Sequence, residues 1–411
     1  MGSLLETDPQ SDFARLINTK GDSVTGSCIW LFGTDDYLLW KDAGPQTLWI
    51  NGGAGMGKTM LMMAMIEELA RIYPSPIEPM PSRTLAYFFC DRNDPRLRTA
   101  ASVVRGLLFS LAAHGRHQFS ATINGIYQGT RGFCEDVNTF YTMARMLQNA
   151  MKVASYFGCQ ITFVVDGLDE CEEGLPQLLD YIGHTITRHR VKWLISSRPR
   201  LDVKDRLTRA GRLWDLNLEH NAKFVSPIVE LYIDTTVKAI AEAKRLDKKT
   251  TRSIISLLKD GANGTFLWVS HICKALEKAP RYKAMSIPNI LPDGLRATYQ
   301  QMMDQVDKND EETVELCKRI LNGMSAATRP VRLDQVGRLA MLPDEIANDI
   351  ESVKDLIYRC GDFLVISGEA VSLVHRPSVT QYLLSVDDVR FGRLDLVDKK
   401  LLSSIGEENK E

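Results

Sequence analysis

The sequence has no run of about 20 apolar residues that could cross a bilayer, no two cysteines in CxxC spacing and hardly any net charge. With 50 basic and 52 acidic residues the formal charge is −2, which gives little attraction to nucleic-acid phosphates. The eight cysteines lack the spacings of a zinc site, so we expect reduced, mostly buried thiols. The opening MGSLLETDPQ carries acids where a secretory signal has bases. We therefore expect a cytoplasmic protein that does not bind membranes, and the charge balance gives little support for nucleic acid as its partner.

The residues that are present indicate a folded chain with more than one domain. Hydrophobic residues make up 44% and charged residues 25% of the 411 positions, which argues against intrinsic disorder. Single hydrophobic cores stop growing at about 250–300 residues. The length therefore predicts two or three domains.

One glycine-rich segment has the spacing of a phosphate-binding loop. Residues 48–60 read LWINGGAGMGKTM, an apolar strand that runs into glycines and then into an expected helix. Glycines allow backbone turns closed to other residues, so successive amide N–H groups can point at one anion. The helix that starts near Lys58 adds the positive end of its dipole. The predicted nucleotide-binding residues are Gly52, Gly53, Ala54, Gly55, Met56, Gly57, Lys58, Thr59 and Met60.

Two side chains of this loop have separate predicted tasks. The Lys58 ammonium is expected to reach the β and γ phosphates. The Thr59 hydroxyl is expected to ligate Mg²⁺. The loop therefore predicts a nucleotide with Mg²⁺ as the bound cofactor.

Around this loop and up to about residue 220, apolar runs alternate with amphipathic stretches. Predicted strands include 83–90, 160–166, 192–197 and 213–218, and predicted helices include 97–113, 137–155 and 175–189. The proline-rich segment PSPIEPMPS (74–82) is predicted to be a surface connection. Such alternation predicts an α/β fold, a P-loop NTPase parallel sheet with helices on both faces.

After about residue 220 the strand-like runs give way to helical patterns. The third of these patterns, FLWVSHICKALEKA (266–279), closes a predicted small helical domain. More helices, a hairpin signal around Gly368 and a short last helix predict a winged-helix domain. The predicted divisions are a lead-in segment at 1–44, a nucleotide-binding domain at 45–220, the helical domain at 221–288, the winged-helix domain at 289–395 and a flexible tail at 396–411.

Three acidic residues stand at or just after the apolar run QITFVVD. Asp166 ends the run, at the carboxyl end of a predicted strand, where open α/β sheets keep their ligand crevice. A carboxylate there can hold the Mg²⁺ shell beside Thr59. Asp169 and Glu170 come on the next turn, where either could orient or deprotonate an attacking water. The alternative for all three is a solvated acidic loop.

Arg198 follows KWLISS, another predicted strand, at the same edge of the sheet. A guanidinium matches phosphate oxygens bidentately, so Arg198 could sense the γ phosphate. Pro199 would end the strand and leave that side chain at its tip. With Asp169 and Glu170, Arg198 completes the set of catalytic candidates, and a surface salt bridge is its alternative.

The ordered set of motifs resembles the NACHT class of STAND-type signalling NTPases, particularly the fungal NOD-like receptors and the related nephrocystin-like N-terminal module. The resemblance rests on WINGGAGMGKT, AYFFC, FVVDGLDEC, WLISSRP, GTFLW, LPDGL with the following Tyr299, RCGDFL and HRPSVTQYLL, in that order. It spans roughly residues 15 to 385.

The resemblance implies an ATP/ADP switch with slow hydrolysis. Such a protein is closed with ADP, opens on exchange for ATP and then oligomerises, with a coupling of about 1–3 kcal/mol between nucleotide and conformation. By motif position, His375 would contact the β phosphate of ADP, and a packed histidine is the alternative. The family usually adds an effector and a sensor, which we expect either in a longer form of this chain or in partner proteins.

Two other functions stay open from the sequence. A P-loop kinase of small molecules would need an acceptor pocket and a lid, and no segment has a clear lid composition. A winged-helix regulator of nucleic acid would use RLDQVGRLAM (332–341) as its reading helix. Two arginines and an aspartate make that helix a poor basic face.

Overall fold

The computed structural model describes residues 8–20, 28–42, 44, 46–72, 83–114, 138–262 and 264–386. The chain divides into two compact units. The first consists of residues up to Gly52 together with Gly57–Asn217, and the second of Gly53–Met56 together with residues from Leu218 on. The predicted surface connection at 74–82 and the predicted tail at 396–411 lie outside the described residues.

The first unit contains a parallel sheet of five strands among its described residues. These are β1 Gln46–Asn51, β2 Arg83–Phe89, β3 Gln160–Asp166, β4 Val191–Ser197 and β5 Leu213–Asn217. Their order across the sheet is β2-β3-β4-β1-β5, and every neighbouring pair is parallel. The predicted α/β fold with a parallel sheet is therefore confirmed, and β4 separates β1 from β3.

The register brings the carboxyl ends of the three central strands side by side. Asn51 of β1 lies opposite Ser197 of β4, and Val165 of β3 lies opposite Ile195 of β4. Asp166 consequently follows at the level of Ser196. Since neighbouring strands are about 4.8 Å apart, Asp166 and the end of β1 are about 10 Å apart across β4.

Helices cover one face of this sheet with a large apolar core. The helices described in the first unit are Pro9–Lys20, Ile29–Phe32, Asp35–Asp42, Lys58–Ile72, Ala100–His114, Thr139–Tyr156, Leu175–Arg188 and Leu201–Ala210. Because side chains alternate along a strand, Trp49, Phe163 and Trp193 share one face. They pack there with apolar residues of the last four of these helices.

The opposite face is covered by other helices. The rings of Tyr87 and Phe89 contact Phe13 of the helix Pro9–Lys20, with centroids 5.6 and 6.1 Å apart. The helix Lys58–Ile72 packs against β2, β3 and β4. Both faces are thus covered, which is why the central strands read as continuous apolar runs.

One helix boundary differs from the sequence prediction. The helix expected from Leu97 begins at Ala100. Its start is capped by Thr99, whose hydroxyl oxygen accepts the Ser102 N–H at 3.0 Å, while Leu97 N–H bonds to Asp94 O in a preceding turn. A capping threonine therefore overrides the apolar periodicity that runs through this turn.

The second unit is mainly helical. Its described helices are Ala222–Lys244, Lys248–Gly261, Phe266–Lys278, Asp293–Val306, Glu311–Ala326, Leu333–Leu339, Asp344–Ala347, Ile350–Arg359 and Arg376–Ser385. A small antiparallel sheet has the order β6-β8-β7, formed by β6 Val331–Arg332, β7 Leu364–Ser367 and β8 Ala370–Leu373. The hairpin expected around Gly368 is β7–β8, with Ile366 opposite Val371.

The described cysteines are buried free thiols. They are Cys28, Cys90, Cys159, Cys171, Cys273, Cys317 and Cys360. Cys134 lies outside the described residues.

Candidate functional site

The lysine of the glycine-rich loop begins a helix in the first unit. Lys58 is the first residue of the helix Lys58–Ile72 and follows Gly57, whose φ is +83°. Its Nζ donates a hydrogen bond to the Gly52 carbonyl at 2.6 Å, so the side chain folds back along the loop. Lys58 and Thr59 are half-buried, whereas Met60 is 9% exposed and belongs to the core. The loop exit therefore presents an ammonium, a hydroxyl and a helix N-terminus together.

The tip of the loop belongs to the second unit. The Gly55 carbonyl accepts the Phe266 N–H at 2.7 Å. The Gly53 N–H donates to Glu219 Oε1 at 2.6 Å. Ala54 is half-buried and Met56 is buried, so Met56 can contribute to binding mainly through its backbone. Sequence reasoning missed Glu219, because its contact joins residues 166 positions apart and no local pattern marks it.

We expect Gly55→Ala to distort the loop. Gly55 has φ +74°, and a Cβ there would lie 2.6 Å from Leu267 Cβ and 2.7 Å from Leu267 N. The left-handed backbone costs a non-glycine residue about 1–2 kcal/mol, and the overlap adds about 1–3 kcal/mol. Thermal unfolding and the affinity for ADP, measured together, should show a lower melting temperature and a large loss of binding.

Gly158 offers a matched control for this substitution. It has φ +72°, but nothing lies within 4 Å of the position of a Cβ. Gly158→Ala should therefore lower the melting temperature only through the cost of the left-handed backbone, and it should keep the wild-type affinity for ADP. Equal effects of the two substitutions on ADP binding would contradict a special role for the packing at Gly55.

Asp166 is buried at the carboxyl end of β3 and is held by a residue of β4. Its exposure is 5%, and Oδ1 accepts a hydrogen bond from the Ser196 hydroxyl. The Ser196 Oγ in turn accepts the Gly167 N–H at 2.9 Å. Gly167 has φ +68°, which lets the chain turn sharply after Asp166. Sequence reasoning missed Ser196, although its position at the end of a neighbouring strand is the signal that could have found it.

The buried Asp169 pairs with the half-buried Arg198 at the same edge. Asp169 is 8% exposed, with Oδ2 3.0 Å from Arg198 Nε and Oδ1 accepting the Arg198 N–H at 2.9 Å. Burial raises the pKa of Asp169, but the charges of Arg198, Lys58 and Arg92, together with the hydrogen bond from the Arg198 N–H, outweigh burial and lower that pKa below its usual value. Asp169 is consequently a fixed anion, which contradicts the solvated loop for this residue and gives Arg198 a buried rather than a surface partner.

Glu170 is half-buried and lies in a different electrostatic setting. Its Oε2 accepts the Arg92 N–H at 3.2 Å. Burial, with a further contribution from the Asp169 charge, raises the pKa of Glu170 to about 7. A carboxyl group that titrates near neutral pH can accept a proton during a reaction. The two neighbouring acids therefore differ near neutral pH, where Asp169 is ionised and Glu170 titrates.

His375 is packed within the second unit. Its ring stacks on Trp268 with centroids 4.1 Å apart and planes 10° apart, and Nδ1 lies 2.6 Å from Ser378 Oγ. Burial lowers the pKa of His375 to about 4, so the imidazole is neutral at pH 7. His375 also borders a cavity of about 240 Å³. The packing agrees with the alternative of a packed histidine, and its contact with a nucleotide stays a prediction.

The oxygen donors of the first unit fit Mg²⁺ as it occurs in nucleotide sites. Thr59 and Asp166 supply a hydroxyl and a carboxylate, and Mg²⁺ usually combines one or two protein oxygens with water and phosphate oxygens. Among the described residues, no group of three or more His, Cys, Asp or Glu side chains could hold a metal alone. A metal here would therefore have to take most of its ligands from water and a bound nucleotide.

The sequence matches one protein family and one curated protein. Residues 26–198 match the family described as Nephrocystin 3, N-terminal. The chain is 32% identical over 389 residues to Vegetative incompatibility protein HET-E-1 of Podospora anserina, a match that covers 93% of this chain and 28% of that protein. The chain therefore spans little more than a quarter of the length of this curated relative.

Solved structures resemble the fold at low identity. The Walker-type ATPase of Pyrococcus abyssi is 11% identical, with 88% of this chain and 95% of that chain covered and a TM-score of 0.48. The ORC2 protein of Aeropyrum pernix, solved in ADPNP and ADP complexes, is 10% identical, with 93% of each chain covered and a TM-score of 0.43.

The parallel sheet, with the glycine-rich loop between β1 and the helix Lys58–Ile72, has the arrangement of a P-loop nucleotide-binding fold. The resemblance drawn from the ordered motifs is confirmed by the sequence matches. Residues 26–198 are thus similar to the nephrocystin 3 N-terminal family, and the chain is similar to HET-E-1 over most of its own length. Within the described part of the chain, no helix is both long enough and apolar enough to cross a membrane.

Proposed function

We propose that this chain is a molecular switch that binds ATP or ADP with Mg²⁺ and hydrolyses ATP slowly. The observation that carries the proposal is the meeting of the glycine-rich loop with buried acids at one edge of the sheet in the first unit. Lys58 starts its helix at the end of β1, and Asp166 ends β3 two strands away. Open parallel sheets bind their ligands at this edge.

The phosphate groups are assigned to the loop residues 52–60. Its backbone amides and the Lys58 ammonium would neutralise the polyphosphate. Thr59 and Asp166 would hold Mg²⁺, directly or through water, and the metal would supply charge neutralisation at the phosphates. The N–H groups of the loop and of Lys58 can donate hydrogen bonds to phosphate oxygens. The oxygens of Thr59 and Asp166 are the kind of ligand that Mg²⁺ prefers.

The hydrolysis step is assigned to Glu170, with Asp169 and Arg198 in supporting roles. The pKa of Glu170, raised to about 7, suits the acceptance of a proton from the attacking water. Asp169 fixes Arg198 through Oδ2 and Nε, 3.0 Å apart. Arg198 would sense the γ phosphate from that fixed position.

The switch itself is assigned to the second unit, with a helical domain at 221–288 and a winged-helix domain at 289–395. The bonds from Gly53 to Glu219 and from Gly55 to Phe266 support this assignment. A nucleotide that changes the conformation of the loop tip would strengthen or break these two bonds. It would thereby change the relative stability of the positions available to the helices that follow Glu219 and Phe266. His375 would contact the β phosphate of ADP as a neutral hydrogen-bond donor. Closure with ADP, opening with ATP and conditional homo-oligomerisation belong to this proposal.

Partners and location complete the proposal. We propose that effector and sensor functions act through other segments or through partner proteins in trans, in the cytoplasm.

Steady-state turnover tests the switch against the kinase alternative. A switch should hydrolyse ATP far more slowly than the about 10 per second that is typical of enzymes. Light scattering should report larger particles with a non-hydrolysable ATP analogue than with ADP. Fast transfer of phosphate to a small acceptor, without any change of particle size, would contradict the proposal.

A further inference from the structure

Ser196 lies beside Asp166 in a fixed orientation. Its exposure is 0%, and its hydroxyl is bonded to both ends of the Asp166–Gly167 turn. The Gly167 N–H can only donate, so the Ser196 oxygen accepts that bond. The single proton of the hydroxyl is then available for Asp166 Oδ1, which as a carboxylate oxygen can only accept. The direction of both hydrogen bonds is therefore fixed: the Ser196 hydroxyl accepts from Gly167 and donates to Asp166.

Ser197, the next residue of β4, faces the other side of the sheet. Its Oγ accepts the Trp49 Nε1–H at 2.8 Å and donates to the Arg198 carbonyl at 2.8 Å. Its exposure is also 0%. Two adjacent serines with the same burial thus have different partners, and one of them alone touches Asp166.

We propose that Ser196 is a positioning residue that orients the Asp166 carboxylate toward Mg²⁺. This inference rests on the proposed role of Asp166 in holding the metal. The bond to Ser196 engages Oδ1 and restricts rotation of the carboxylate, and in this proposal Oδ2, which makes no bond to Ser196, is the oxygen presented to the metal or its water. Outer partners of this kind typically contribute 10- to 100-fold to metal affinity.

The proposal predicts a specific dependence on Mg²⁺. In Ser196→Ala, Asp166 loses its fixed orientation, so the Mg²⁺ concentration that gives half-maximal tightening of nucleotide binding should rise about 10- to 100-fold. Binding of ADP in EDTA should stay within about twofold of the wild type, because the hydroxyl of Ser196 is bonded to Asp166 and Gly167 and no phosphate contact is assigned to it. A role limited to stability would lower the melting temperature and leave the Mg²⁺ dependence unchanged.

The experiment uses the full chain and a fluorescent ADP analogue, titrated at a series of Mg²⁺ concentrations. Ser197→Ala is the matched control and should keep the wild-type Mg²⁺ dependence. Ser196→Thr retains a hydroxyl and should restore most of the Mg²⁺ response. If Ser196→Ala does not fold, Ser196→Cys replaces the hydroxyl by a weak donor of similar size and should show the same shift.

Two results would overturn the inference, and they are distinguishable from failure of the proposed function. A folded Ser196→Ala or Ser196→Cys with the wild-type Mg²⁺ dependence would contradict the role of Ser196 alone. An equal shift of the Mg²⁺ dependence in Ser197→Ala would show that any substitution at this strand end weakens Mg²⁺ binding. Failure of the wild type to bind the ADP analogue with or without Mg²⁺ would instead overturn the assignment of the nucleotide site.

Discussion

Lys58→Ala is expected to weaken ADP binding by about 10- to 150-fold. The substitution removes the ammonium that we propose contacts the phosphates, and a hydrogen bond to a charged group contributes about 1.5–3 kcal/mol. Lys58 is half-buried, and its Nζ is bonded to the Gly52 carbonyl, so the ammonium already lies at the loop. Titration with a fluorescent ADP analogue measures the change directly.

Arg71→Ala is the matched control for Lys58→Ala. Arg71 lies in the last turn of the same helix, its side chain is 76% exposed, and it pairs with Glu68. Its removal changes the net charge by the same amount but leaves the loop intact. We expect wild-type affinity for ADP in Arg71→Ala. Wild-type affinity in Lys58→Ala would contradict the assignment of the loop as the phosphate site.

Glu170→Gln is expected to slow ATP hydrolysis by about 100- to 10,000-fold, which is the usual contribution of a general base. The amide keeps the size of the side chain and cannot accept the proton of the attacking water. Nucleotide affinity should change little, because the assigned role lies in the reaction step. Single-turnover hydrolysis and equilibrium binding, measured on the same preparation, separate the two effects.

The pH dependence of hydrolysis gives a second measure of Glu170. The carboxyl group must be deprotonated to act as a base, and its pKa is raised to about 7. The wild-type rate constant should therefore rise with pH through about 7 and level off above it, and it should fall about tenfold per pH unit on the acid side. Glu170→Gln should lose this dependence.

Glu173→Gln is the control for the acidic turn. Glu173 is exposed, and it follows Glu170 in the same loop. Its substitution should leave both the rate and the pH profile unchanged. An unchanged hydrolysis rate in Glu170→Gln would show that the proton acceptor is another group.

The local parts of the fold and site could be predicted because their signals are local. The apolar run of β3 and the glycines before Lys58 each specify their own backbone, and a parallel sheet follows from strands that alternate with helices. The position of Asp166 at a strand end follows from the same run. For these elements, sequence and structure agree because burial on both faces leaves little choice of residue.

The partners within the site could not be predicted because they depend on strand register. The Ser196 hydroxyl reaches Asp166 across 30 positions, and Asp169 meets Arg198 across 29. No periodicity encodes which of two adjacent serines faces the acid. The different titration of Asp169 and Glu170 likewise arises from burial and from neighbouring charges that only the folded sheet brings together.

One short strand could not be predicted from the sequence. β6 has only two residues, Val331–Arg332, and a strand of that length has no alternation to detect. Its pairing with β8 places Val331 opposite Val371 and widens the predicted hairpin into a three-stranded sheet. The sheet therefore depends on tertiary pairing rather than on local propensity.

The nucleotide content of the purified protein tests the central claim most directly. The chain is denatured, and the released small molecules are separated by anion-exchange chromatography and identified by mass. The account predicts ADP at close to one molecule per chain, and much less from Lys58→Ala. A wild-type preparation that releases no nucleotide, and that binds neither ADP nor ATP when these are added with Mg²⁺, would contradict it.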